Sequence, residues 1–174
     1  MEYLIYFYFA MLAIFYTYVG YIWVKYGILP SISDSWYHLP EKQRQLFTLF
    51  CWGFALPAAI IGFTISEGNP FQFLMLFAAG GIMFVGAAPD FKKEDGMDRK
   101  VHYIAALTGV IANTLYLFLV FPKYWIFPTI FVLGSLTLYA LKRKVEEIWW
   151  IEILSFTSFA IVTGIIVNKL LMLI

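Results

Sequence analysis

Apolar residues run in six long blocks along this chain, and short polar segments separate them. A helix needs about 20 mostly apolar residues to cross the hydrocarbon core of a bilayer. Blocks of that order lie at 3–24, 45–65, 71–88, 101–121, 125–141 and 148–171. Pro57 falls inside the second and predicts a kink there, because its ring removes one intrahelical donor. Only Pro122-Lys123-Tyr124 separates the fourth block from the fifth, which predicts a tight antiparallel hairpin. Merging those two blocks would need a helix of roughly 40 residues, longer than a bilayer accepts even with tilt. Neither a repeat nor a linker interrupts the pattern. The expected fold is all-α: one polytopic transmembrane helix bundle over residues 1–174, with six helices. Met1-Glu2-Tyr3 lacks a basic n-region, and the first block is too long for a signal-peptide core, so it reads as a true span.

Composition points to the same solvent. The chain is 62% hydrophobic and 13% charged, with a mean hydropathy of +0.79. Soluble domains are closer to half apolar and a quarter charged, so the excess apolar surface belongs against lipid. The net charge of +1, without a basic stripe, excludes a nucleic-acid partner. Cys51, the single cysteine, sits in an apolar block and reads as a small hydrophobe.

Charge then sets the expected orientation. Lys25, Lys42 and Arg44 follow the first block; Lys92, Lys93, Arg99 and Lys100 follow the third; Lys142, Arg143 and Lys144 follow the fifth. The other side receives only Lys123 and Lys169. Basic residues concentrate in cytoplasmic loops. The odd connections are therefore expected in the cytoplasm, and both termini away from it. Trp23, Trp149 and Trp150 fall at the same cytoplasmic level, where an aromatic belt is expected.

Polar residues within or beside the blocks mark candidate chemistry, because lipid penalises them. The two histidines, His38 and His102, lie on the cytoplasmic side with Asp34, Asp90, Asp98 and Glu152. In the fourth block Asp98, His102, Ala106, Gly109 and Asn113 share one helix face. Ala105 and Gly109 would let a neighbouring helix approach closely. Asp98 also suits an N-cap, and Asn113 suits interhelical hydrogen bonding. Glu152 either snorkels to water one turn from Glu146-Glu147 or joins Ser155 and Thr163 in an inward polar seam. The first connection, Pro30-Ser31-Ile32-Ser33-Asp34-Ser35-Trp36-Tyr37-His38-Leu39-Pro40, reads as an interfacial loop or as the lid of a cytoplasmic pocket. His38 and His102 with one or two of Asp34, Asp90 and Asp98 could hold Zn²⁺ with a position open for water, and Asp34 or Asp98 would then serve as catalytic base. A potassium-type filter, a Walker sequence and an HExxH motif are all missing from the chain.

The Pro30-Ser31-Ile32-Ser33 loop, with Trp36-Tyr37-His38 and a following helix, resembles a family of small bacterial polytopic membrane proteins. The likeness covers about 25 residues and implies that architecture and a bacterial or phage origin, with a bacterial inner membrane as the expected location; it implies no reaction. Ser33, Asp34 or Asp98, His38 and His102 are also faintly similar to the site of the alkaline ceramidase and adiponectin receptor superfamily. Those seven-helix hydrolases hold zinc by three histidines near the cytoplasmic face. This chain has six expected helices and two histidines, so a carboxylate would replace the third ligand. Three functions follow as expectations. One is a metal-dependent hydrolase with a lipid substrate. Another is a subunit that binds a membrane-protein partner or a second copy through the small face Ala79, Gly80, Gly86 and Ala87. The third is a small-solute transporter or oligomeric pore built on Asn113 and Glu152.

Overall fold

The computed structural model describes residues 2–92, 96–141 and 147–172, and all regular structure among them is helical. Helix α1 (Tyr3–Tyr26) ends where Gly27 takes φ 79° and returns its N–H to the Trp23 carbonyl at 2.9 Å. Only glycine adopts that backbone without strain. A connecting loop then carries one short helical turn, α2 (Ser35–His38). After it come a 3₁₀ turn at Glu41–Gln43 and helix α3 (Gln45–Ile65), which continues through Pro57. Helix α4 (Leu74–Ala87) is followed by α5 (Met97–Val120), a 3₁₀ turn at Pro122–Tyr124, α6 (Ile126–Ala140) and α7 (Glu147–Leu171). The basic residues Lys93, Lys142, Arg143 and Lys144 lie outside the described residues.

Four helical segments are long and apolar enough to cross a membrane: Tyr3–Tyr26, Glu41–Ile65, Met97–Val120 and Ile148–Leu171. The other two apolar helices, Leu74–Ala87 and Ile126–Ala140, are shorter than the expected blocks. At 14 residues α4 rises only about 21 Å. The missing length is taken up by turns. Asn69 Oδ1 accepts from the Phe71 N–H at 2.9 Å, and Gln72 Nε2 donates to the Phe63 carbonyl at 2.7 Å. Phe71 and Phe73 are apolar, but they sit in this Asn-Pro turn. At the other end Pro89 disfavours helix at the residue before it, and α4 stops at Ala87.

Each of α1, α3, α4 and α5 packs on the next in the order α1–α3–α4–α5, and α6 packs on α7. The expected α5–α6 hairpin is splayed: α6 touches α5 lightly and lays its face on α7 instead. Helix α7 makes lighter contact with α1, α3 and α5. An aromatic cluster fills the centre. Tyr18 stacks on Phe50 at 4.4 Å, and Phe156 lies 5.0 Å from Phe15 and 4.7 Å from Phe54. Large apolar side chains such as Leu76, Ile104, Leu107 and Leu136 face outward. Soluble proteins rarely leave so much contiguous apolar surface bare. The chain is thus a multi-pass helical protein suited to a lipid bilayer.

The small residues of α4 are used within the chain. Ala79 and Gly86 are buried, and a Cβ on Gly86 would meet Cys51 of α3 at 2.6 Å. Of the expected partner face, Ala87 is exposed and Gly80 has no neighbouring atom within 4 Å of where its Cβ would be.

Candidate functional site

The first connection is folded into the bundle end as a plug. Leu29, Leu39 and the whole run Ser31–Ser35 are buried. The segment holds its own shape through a reciprocal turn: Ser31 Oγ donates to Asp34 Oδ2 at 3.0 Å and accepts from the Asp34 N–H at 3.0 Å. It is then tied to three parts of the bundle. Ser35 Oγ meets the Tyr18 hydroxyl of α1 at 2.6 Å. The Trp149 N–H of α7 donates to the Pro30 carbonyl at 3.1 Å, and the Ile32 N–H donates to Glu152 Oε2. Lys92, after α4, forms an ion pair with Asp34.

Tyr37 joins the same end. Its hydroxyl donates to Asp90 Oδ1 at 3.3 Å and accepts from the Lys92 N–H at 2.6 Å. The Lys92 ammonium also lies 4.6 Å from the Tyr37 ring centre, within cation–π range. Burial, with the Asp90 carboxylate adding to it, pushes the Tyr37 phenol above its usual range. At neutral pH it therefore remains a hydrogen-bond donor.

Behind the plug lies a cavity of about 90 Å³ between α7 and the α3–α4–α5 layer. Room for about three waters is implied at roughly 30 Å³ each. Ile32 and Ser33 of the plug close one end of it. Its polar side chains are Ser33, Asn113, Glu152 and Ser155, and Asn113 Nδ2 reaches Ser155 Oγ at 3.5 Å. The rest is apolar and rich in rings: Phe47, Phe50, Phe54, Phe156 and Phe159. Glu152 is half-buried and borders the cavity. Glu152 and Ser155 both border the cavity, whereas Thr163, the third residue of the expected seam, is buried and donates to the Phe159 and Ala160 carbonyls of its own helix.

The expected metal and catalytic residues are spread out. His38 is exposed, with its ring 6.0 Å from that of Tyr26. His102 is buried, donates from Nδ1 to the Ala88 carbonyl at 2.9 Å and stacks on Phe91 at 4.2 Å. Asp34 is engaged by Lys92 and Ser31, and Asp90 by Tyr37. Helix α5 begins at Met97, so Asp98 stands exposed in its first turn, while Gly96 takes the cap position. Among the described residues, no three His, Cys, Asp or Glu side chains gather where they could share an ion.

Of the α5 face, Ala106, Gly109 and Asn113 line the cavity, while His102 turns to the α4 end. Two contributors carry no sequence signal for a site: the Ile32 N–H, a backbone group, and Lys92, one of several loop lysines. The Phe rings of α3 were visible only as span residues.

The arrangement is a largely apolar chamber with one carboxylate and one amide, suited to holding a small molecule by an apolar body and a single polar head. Comparison with family models, with curated proteins and with solved structures finds no match to this chain.

Proposed function

We propose that this chain is a six-span membrane protein that takes a small amphiphilic solute from the bilayer into the cavity behind its plug. The observation that carries this reading is the Glu152 carboxylate, placed between the plug backbone and an aromatic-lined chamber. Intramembrane carboxylates are costly and mark solute or ion pathways by default. The two shorter helices α4 and α6 supply the fifth and sixth spans in this reading, which asks for thinning of the bilayer around them. Contacts from the plug to Lys92 and to the start of α7 support grouping the odd connections at one end. The basic residues of those connections favour the cytoplasm for that end. Both termini then face away from it. The zinc hydrolase reading is weaker, because His38 is exposed while His102 is held at the Ala88 carbonyl.

Cavity filling tests the proposal. Ala106 borders the chamber, and Ala106→Phe would occupy it. Protein purified in a neutral maltoside detergent is titrated with short-chain butyl compounds bearing cationic, neutral or anionic heads, and unfolding temperature is read. At least one probe should stabilise the native protein, and the effect should vanish in Ala106→Phe. Stabilisation by none, or equal stabilisation of both proteins, would overturn the reading.

A further inference from the structure

We infer that the cavity selects a small organic cation, with Glu152 as its counter-charge and the surrounding phenylalanine rings as its walls. This inference rests on the amphiphile-binding reading above and names the ligand's charge. Three observations carry it. First, the one acidic side chain that borders the chamber, Glu152, has no cationic partner among the described residues. Glu152 accepts from the Ile32 N–H. Lys92 is committed to Asp34. Second, five phenylalanine rings border the same space. Ring faces attract cations electrostatically, and more so when water is excluded. They offer nothing comparable to an anion. Third, the size fits: about 90 Å³ suits a head of the trimethylammonium class, larger than a metal ion and smaller than a lipid headgroup with its glycerol. Asn113 and Ser155 add a neutral polar edge that can turn toward the head without opposing its charge.

The carboxylate and the rings act on different properties of the ligand. The rings accept any apolar body of the right width. Only Glu152 discriminates charge, because a cation entering a largely apolar space must find an opposite charge there. An anion of the same shape would meet the Glu152 carboxylate with no cation to offset it among the described residues.

The probes are n-butyltrimethylammonium, its neutral carbon isostere and n-butanesulfonate, applied to the full chain in neutral maltoside detergent. Binding is read as the rise in unfolding temperature with probe concentration. The cation should bind at least about tenfold more tightly than the isostere, a difference of about 1.4 kcal/mol, and the sulfonate should not bind. In Glu152→Gln, which keeps an acceptor for the Ile32 N–H, the preference for the cation over the isostere should disappear. Equal binding of cation and isostere to the native protein would overturn the inference and leave the amphiphile site standing. Undiminished cation binding to Glu152→Gln would overturn it in the same way. Binding of no probe would remove both. If Glu152→Gln fails to fold, the native comparison of cation with isostere decides alone.

Discussion

Gly81 and Gly109 meet backbone to backbone where α4 crosses α5. A Cβ on Gly81 would lie 2.7 Å from the Gly109 Cα and 2.6 Å from the Ala105 carbonyl oxygen. A Cβ on Gly109 would find its nearest neighbours at 3.4 Å and 3.5 Å. The crossing is therefore asymmetric: one glycine is required for contact and the other merely permits it. Close approach of this kind replaces the hydrophobic driving force that helices lack in lipid.

Gly81→Ala should push α4 off α5 and cost about 1–3 kcal/mol, in the range of overpacked cores. Gly109→Ala should cost less. Gly80→Ala, with open space at its Cβ, should stay within about 0.5 kcal/mol of the native protein. Unfolding in mixed detergent and SDS micelles measures all three. Equal losses at Gly80 and Gly81 would contradict the crossing.

Much of this architecture is legible in the sequence because lipid imposes simple rules. Apolar length marks the four long helices. The short helices were not legible. Phe71 and Phe73 count as span residues by hydropathy, yet Asn69 and Pro70 draw them into a turn by hydrogen bonds that hydropathy does not weigh. The same limit separates the readable part of the site from the rest. Glu152 and Ser155 share a helix face, and so do Gly109 and Asn113, so periodicity brings each pair to one side. Nothing in the letters says that the Ile32 N–H would reach Glu152, since every residue but proline carries that group. His102 looked like a ligand because a histidine at a helix start can be one. Pro89 ends α4 early enough to leave the Ala88 carbonyl facing its ring.

Lys92 pins the plug through a buried carboxylate. Its own side chain is half exposed at 52%, while Asp34 is 7% exposed. Lys92→Met therefore leaves a buried carboxylate that keeps the Ser31 hydroxyl as a partner but loses its counter-charge. Full burial of both partners would make such a loss about 3–5 kcal/mol. Exposure of the lysine lowers the expectation to about 1–2 kcal/mol. The double variant Asp34→Asn with Lys92→Met should recover part of the loss, because no charge is then stranded. A double variant less stable than Lys92→Met alone would show that the pair is not the link.

Cys51 reports on the plug without any engineered label. It is the only cysteine, it is buried, and it borders the cavity. A bulky maleimide should leave it unmodified in the folded protein and modify it fully in SDS. Loosening the plug by Lys92→Met should raise the folded-state rate several-fold, read by mass spectrometry of the intact chain. Rapid modification of the native protein would mean that the chamber is open to bulky solutes.

The Tyr18–Ser35 contact separates two kinds of hydrogen-bond loss. Both groups are buried, their oxygens lie 2.6 Å apart, and the bond joins the plug to α1. Removing one partner leaves the other without its mate and costs about 1–3 kcal/mol, whereas removing both costs only the net bond of about 1 kcal/mol. Ser35→Ala should thus destabilise strongly, since the Tyr18 hydroxyl would be stranded between the plug and Phe50. Tyr18→Phe keeps the ring stack at 4.4 Å and strands the smaller Ser35 hydroxyl, so its cost should be lower. The double variant Tyr18→Phe with Ser35→Ala should be more stable than Ser35→Ala alone. Stability of the four proteins in a double-mutant cycle gives the coupling directly. A coupling near zero would mean that the two hydroxyls do not hold the plug, and that Asp34, Trp149 and Glu152 carry its attachment.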